Sequence, residues 1–198
     1  FGTGLELATH GSAFGGALFV TSEGGTHVVA STASPTADAL FGLVGPDTLQ
    51  GQAGDDVLQG GQGADLLDGG AGSDLFLIAS GDSPAVAGQT DTIVNWAHED
   101  HLSFVFQNGQ LLTPSANAFN YVETTASSFA AAQAAANAQI AGGVVEYVAV
   151  QVGGDVVVFA DDKGDHGAAD DAVILQGASL ADIDASNIVF GGTAPHST

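Results

Sequence analysis

Five aspartates recur at intervals of nine residues: Asp38, Asp47, Asp56, Asp65 and Asp74. Two positions after each stands a large apolar side chain, Leu40, Leu49, Leu58, Leu67 or Phe76. A glycine lies two positions before each of the last four aspartates (Gly45, Gly54, Gly63, Gly72), and another opens each of those units (Gly42, Gly51, Gly60, Gly69). The unit is G-x-x-G-x-D-x-L-x, with an extra glycine, Gly61 or Gly70, in its last two copies. An acid at a constant place in every unit supplies a hard anionic oxygen. Glycine-rich turns let the chain reverse tightly with its carbonyls turned inward. Carboxylate and carbonyl oxygens together suit Ca²⁺. The x-L-x triplet reads as a very short strand whose central side chain points to a core. A flexible linker has no reason to keep an acid and an apolar residue in register over five units, so the period indicates a calcium-binding repeat architecture.

The rest of the composition asks for such a cation. The chain has 198 residues, enough for one domain or two small ones, and its hydrophobic content of 45% is enough for a core. Against 23 acidic residues stands one basic residue, Lys163, for a net charge of −22. That balance argues against nucleic acid or an anionic membrane as partner, since both carry phosphate. It also opposes compaction of the chain itself unless a cation neutralises part of it. There is no cysteine, so disulfides cannot staple the fold and metal is the usual substitute. No apolar run is long enough to span a bilayer, which excludes membrane insertion by a helix. The opening Phe1-Gly2-Thr3-Gly4 is not a signal peptide and the chain has no Met, which reads as a piece of a longer protein.

These nonapeptides resemble the RTX (repeats-in-toxin) family of secreted calcium-binding proteins. The resemblance implies a short parallel β-roll over 33–77, with two nonapeptides per coil and about two and a half coils. It implies Ca²⁺ held between stacked turns, with Asp38, Asp56 and Asp74 on one side and Asp47 and Asp65 on the other. Sites are then expected between Asp56 and Asp74 and between Asp47 and Asp65. A weaker one is expected between Asp38 and Asp56, because residues 33–38 lack the motif glycines. Gly45, Gly54, Gly63, Gly72, Gly61 and Gly70 are expected to shape the metal-binding turns. The stretch from Asp91 to Ser103 is similar to the D-x-I-x-D-F-x-x-G-x-D-x-I segment that follows the roll in secreted bacterial proteases, lipases and surface proteins. Asn95 replaces the usual Asp and Glu99 a common Gly. Asp91 and Asp100 are expected to help close the last calcium site, with Ile93, Val94 and Trp96 capping the roll end. The acidic loop 161–171 resembles a D-x-N-G-D-G-x-x-D calcium loop through Asp161, Asp165 and Asp170. Lys163 in the Asn place and the inserted His166 favour a solvated turn there.

Around the repeats, residues 1–32 read as an N-terminal β-hairpin, with runs Ala17–Ser22 and Thr26–Ser31 joined by Glu23-Gly24-Gly25. Residues 78–198 read as a β-rich C-terminal region with one helix over 126–141, capped by Ser127 or Ser128 and ended by Gly142-Gly143. In that helix Phe129, Gln133, Ala136 and Ile140 share a stripe. A hairpin is expected over 144–160 across Gly153-Gly154, followed by strands near 172–176 and 187–190. The fold class is mainly β: a parallel β-roll packed with flanking antiparallel strands and one α-helix.

Catalytic readings are poor. Thr9-His10-Gly11-Ser12 is a polar turn without a nucleophile elbow. His98-Glu99-Asp100-His101 has the wrong spacing for a zinc protease motif. With no Arg and one Lys, little is available to stabilise an oxyanion. The reading is a non-catalytic, calcium-folded module of a type I secreted extracellular or cell-surface protein, whose partners are calcium ions and the type I secretion machinery. The C-terminal tail of a secreted hydrolase, and calcium-dependent self-association in a surface layer or adhesin, remain as alternatives.

Overall fold

The computed structural model describes residues 18–20, 27–29, 37–105 and 116–189. The polar turn at 9–12 and the Glu23-Gly24-Gly25 turn lie outside them. Nine short strands wind through the first half: β1 (Leu18–Val20), β2 (His27–Val29), β3 (Ala39–Phe41), β4 (Thr48–Gln50), β5 (Val57–Gln59), β6 (Leu66–Asp68), β7 (Leu75–Ala79), β8 (Asp91–Val94) and β9 (His101–Val105). They fall alternately on two parallel sheets. The odd-numbered strands form one, in the order β1-β3-β5-β7-β9, and the even-numbered strands lie in the other. Each x-L-x triplet is one strand, and the G-x-x-G-x-D turn carries the chain to the opposite sheet. Parallel pairing then places Leu40 beside Leu58 and Leu49 beside Leu67, two units apart.

The expected N-terminal hairpin is not formed. β1 pairs with β3 and β2 with β4, both in parallel, so the two strands belong to different sheets. Phe19 is opposite Leu40 and Val28 opposite Leu49. The positions 19 and 28 keep the nine-residue spacing, so this segment is an earlier coil of the roll with a longer connection into the repeats. The coil also continues past 77. Leu67 pairs with Ile93 and Phe76 with Leu102, with the extra length looped out between β7 and β8. With two strands per coil, nine strands make four and a half coils, against the two and a half expected.

The C-terminal half contains β10 (Tyr121–Ala126), α1 (Phe129–Ile140), β11 (Tyr147–Val152), β12 (Asp155–Ala160) and β13 (Asp171–Leu175). β11 and β12 form the expected hairpin across Gly153-Gly154. β13 pairs in parallel with β8, so the flanking strands are hydrogen-bonded into the roll as well as packed against it. The result is one eight-stranded sheet, β10-β11-β12-β13-β8-β6-β4-β2. In place of the strand expected near 187–190, Ala185–Asn187 is a 3-10 turn followed by a single bridge from Ile188 to Leu102. α1 begins at Ser128, whose hydroxyl accepts the N–H of Ala131. Among the described residues no helix is long and apolar enough to cross a membrane.

Alternation along the C-terminal strands buries both faces. Tyr147, Ala149, Val156, Val158, Val173 and Leu175 join Leu40, Leu49, Leu58, Leu67, Phe76, Ile93 and Leu102 in a single core inside the roll. The side chains between them, Val148, Val150, Val157, Phe159 and Ala172, face α1 through Ala132, Ala136 and Ile140. Gln133, on the expected stripe, instead donates a hydrogen bond to the Ala85 carbonyl. The roll thus borrows from the C-terminal sheet the apolar area that its single row of leucines cannot supply.

Candidate metal centre

Stacking of the coils lines the repeat aspartates up in two columns. In the first, the backbone N–H of Asp38 donates to Asp56 Oδ1 at 2.7 Å, that of Asp56 to Asp74 Oδ1 at 2.9 Å, and that of Asp74 to Asp100 Oδ1 at 3.0 Å. In the second, Asp47 N–H donates to Asp65 Oδ1 at 2.7 Å and Asp65 N–H to Asp91 Oδ1 at 3.0 Å. All seven aspartates are buried. The expected division into two sides therefore holds as geometry, and Asp91 and Asp100 head one column each. Asn95 stands outside both columns: it takes positive φ and binds the Asp68 carboxylate through its amide. The Asp-to-Asn departure thus leaves the columns intact.

The carboxylates of Asp56, Asp65 and Asp74 divide their work. One oxygen takes an N–H of the adjacent coil. The other oxygen of Asp56, Asp65 and Asp74 is buried and has no hydrogen-bond partner. These Oδ2 atoms point at the glycines that open their own units, Gly51, Gly60 and Gly69. At Gly51 a methyl group would meet both Asp56 Oδ2 and the Gly69 carbonyl of the next coil at under 3.0 Å. At Gly42 it would meet Asp47 Oδ2 and the Gly60 carbonyl in the same way. The glycines keep open a space into which carboxylate and carbonyl oxygens from two coils converge.

The second position of each unit has positive φ throughout: Leu43 (φ 74), Gln52 (φ 75), Gly61 (φ 90) and Gly70 (φ 99). Only the last two are glycine, so Leu43 and Gln52 hold a conformation that branched or bulky L-residues disfavour. A Cβ at Gly61 or Gly70 would also collide with the Leu43 or Gln52 carbonyl. Gly60 and Gly69, whose carbonyls aim into the turns, were not among the expected site residues, although their nine-residue recurrence was visible.

Burial and crowding make these acids costly as bare anions. Burial, reinforced by the neighbouring acids of the column, pushes Asp56 and Asp74 up to about 7 and Asp65 to about 6. The same causes push Asp91 up to about 8, and burial raises Asp100 to about 6. A charge held this far from water requires a proton or a cation beside it. Among the described residues no three Asp, Glu or His side chains gather as a metal cluster. The turns instead combine carboxylates with backbone carbonyls, an all-oxygen donor set that fits Ca²⁺ and not a soft metal.

Residues 41–76 match the RTX calcium-binding nonapeptide repeat, in 4 copies. This stretch is therefore a run of RTX repeats, and Ca²⁺ is the ion such repeats imply. The AlgE6R3 subunit of the Azotobacter vinelandii mannuronan C5-epimerase is similar in structure over 100% of this chain and 91% of its own, with a TM-score of 0.57 and 19% identity. The extracellular lipase LipA of Serratia marcescens is similar over 86% of this chain but only 20% of the lipase, with a TM-score of 0.50 and 20% identity. These likenesses show the β-roll fold. No curated protein sequence matches the chain significantly.

Proposed function

We propose that this chain is a non-catalytic, calcium-folded module of a protein exported by a type I secretion system and working outside the cell or on its surface. The observation that carries this reading is the repeated pairing of a buried, unpartnered aspartate oxygen with a glycine-lined space between coils. Ca²⁺ would be held between Asp56 and Asp74, Asp74 and Asp100, Asp47 and Asp65, and Asp65 and Asp91, with turn carbonyls completing each shell. Asp38 and Asp56 would make the outermost pair.

The bound ions supply fixed positive charge. The side chains do the rest: they bridge adjacent coils through one oxygen and present the other to the ion. Where calcium is scarce, the columns repel and the repeats stay disordered, which suits passage through a narrow export channel. Outside, sites of about 10⁻⁴–10⁻³ M affinity fill. Each adds only about 1–2 kcal/mol by mass action, but several on one solenoid are comparable with a whole domain's stability. The fold shared with a small part of an extracellular lipase supports a role as one module of a larger secreted protein.

The test is circular dichroism of the purified chain during a calcium titration at neutral pH. A gain of β signal that chelator reverses is expected. A spectrum indifferent to calcium and chelator would remove the proposal. Light scattering along the same titration shows whether calcium also bridges copies.

A further inference from the structure

Outside the two columns, a second group of buried acids lies where the connection between β12 and β13 meets the turn after β7. Asp162 is 1% exposed and neither of its carboxylate oxygens has a hydrogen-bond partner. Asp171, fully buried, lies against it. Asp171 Oδ2 accepts the N–H of Gly81 at 2.8 Å, while its Oδ1 has no partner. This is the division of labour seen in the roll, where one oxygen takes an N–H from another segment and the second is left over. The Ser80 hydroxyl lies beside Asp162 without hydrogen-bond geometry. Lys163, the single basic side chain, ion-pairs with the neighbouring Asp170 at 2.6 Å and acts on Asp162 and Asp171 through charge alone, leaving their free oxygens without a donor.

Two buried carboxylates against each other, with one N–H donor for four oxygens, require something positive between them. We propose that Asp162 and Asp171 hold a hard divalent cation, Ca²⁺ above all, at a site separate from the nonapeptide turns. Ser80, backbone carbonyls and water would complete its oxygen shell. The site would clasp the β12–β13 connection to the 80–83 turn. Those segments are already joined by the Pro84–Asp171 bridge and by the Ser83 hydroxyl on the Ala172 carbonyl. The ion would thus lock the C-terminal sheet to the roll at the loop that lengthens the last coil. This site differs from the one suggested by Asp161, Asp165 and Asp170. In that loop Asp161 Oδ2 takes the His166 N–H, Asp165 Oδ1 the Gly167 N–H, and Asp170 takes Lys163.

Calcium stoichiometry of the full chain by isothermal titration, with and without Asp162→Asn/Asp171→Asn, tests the inference. The double variant is expected to bind one ion fewer per chain while calcium still induces the β signal of the roll. Unchanged stoichiometry overturns the site. Should the double variant fail to fold, anomalous scattering from wild-type crystals grown with Tb³⁺ decides. A peak about 2.3–2.6 Å from oxygens of Asp162 and Asp171 supports the site. Peaks in the roll turns with none here refute it. No peak anywhere refutes this site and the calcium reading of the roll together.

Discussion

The roll and the C-terminal sheet solve the same problem with opposite means. From β11 to β13 both faces are covered, one by the roll leucines and one by α1. That sheet needs nothing from solution on its helix side. In the roll, each coil places one apolar side chain inward per strand and one carboxylate per turn. Its apolar share is thin, and its buried polar oxygens are left incomplete. The comparison teaches that cation dependence is a property of the turns and that apolar burial is a property of the strands. The two meet only in the shared core, so calcium is expected to govern one half directly and the other through contact.

Phe159, fully buried against Phe129 and the helix face, offers the largest break in this comparison. Phe159→Ala should lower stability by about 3–5 kcal/mol, by a similar amount in calcium and in chelator, read from urea midpoints. A loss confined to the calcium-loaded state would show that the helix side depends on the ions after all. Asp56→Asn should lower stability by about 1.5–3 kcal/mol in saturating calcium, the range for a bond to a charged group. In chelator it should be neutral or stabilising, because it removes a buried charge. Asp68→Asn, at a half-buried acid outside the columns whose carboxylate binds the Asn95 amide, is expected to shift the midpoint by no more than about 0.5 kcal/mol and serves as the control.

Acidity should separate the halves as well. In the metal-free fold Asp56, Asp74 and Asp91 titrate at about 7 to 8, and Asp65 and Asp100 at about 6, against 3.8 for an ordinary aspartate. Raised carboxyls mean that the folded state binds more protons than the unfolded one across this window. Their stabilisation is complete below about 4 and disappears as the pH rises through 6 to 8. In chelator, the urea midpoint should therefore be higher at pH 5 than at pH 8. With calcium the order reverses for binding: protons compete, and more calcium is needed at pH 5 to reach half-folding. A chelator midpoint that rises with pH would contradict the buried columns. A small effect of opposite sign belongs to Gln52→Gly, which relieves a positive φ. It should raise stability by up to about 1 kcal/mol in calcium, seen as a small rise in melting temperature.

Much of the roll was legible because its information is local. The resemblance to RTX repeats, with two nonapeptides per coil, already sorted Asp38, Asp56 and Asp74 from Asp47 and Asp65, and the x-L-x strand pattern put Leu40, Leu49, Leu58, Leu67 and Phe76 inside. The hairpin across Gly153-Gly154 and the helix capped by Ser128 were legible for the same reason, since turn chemistry and capping act within a few residues. The N-terminal strands misled because Glu23-Gly24-Gly25 is a good local turn signal. Pairing is settled by what lies alongside, and here β3 and β4 lie alongside β1 and β2.

What the sequence by itself determined is the repeating unit: where each acid, glycine and leucine stands relative to the next, and hence the ion they call for, while the two columns came with the resemblance to RTX repeats. What only the tertiary structure decided is how far the roll runs and what it leans on. β13 docks on β8, and Asp171 accepts the N–H of Gly81, ninety residues away in the chain. Contacts of that separation leave no periodic trace, because either partner, read alone, is an acid in a loop. Their meaning comes from burial, which removes water from both and leaves oxygens that only a proton or a cation can satisfy.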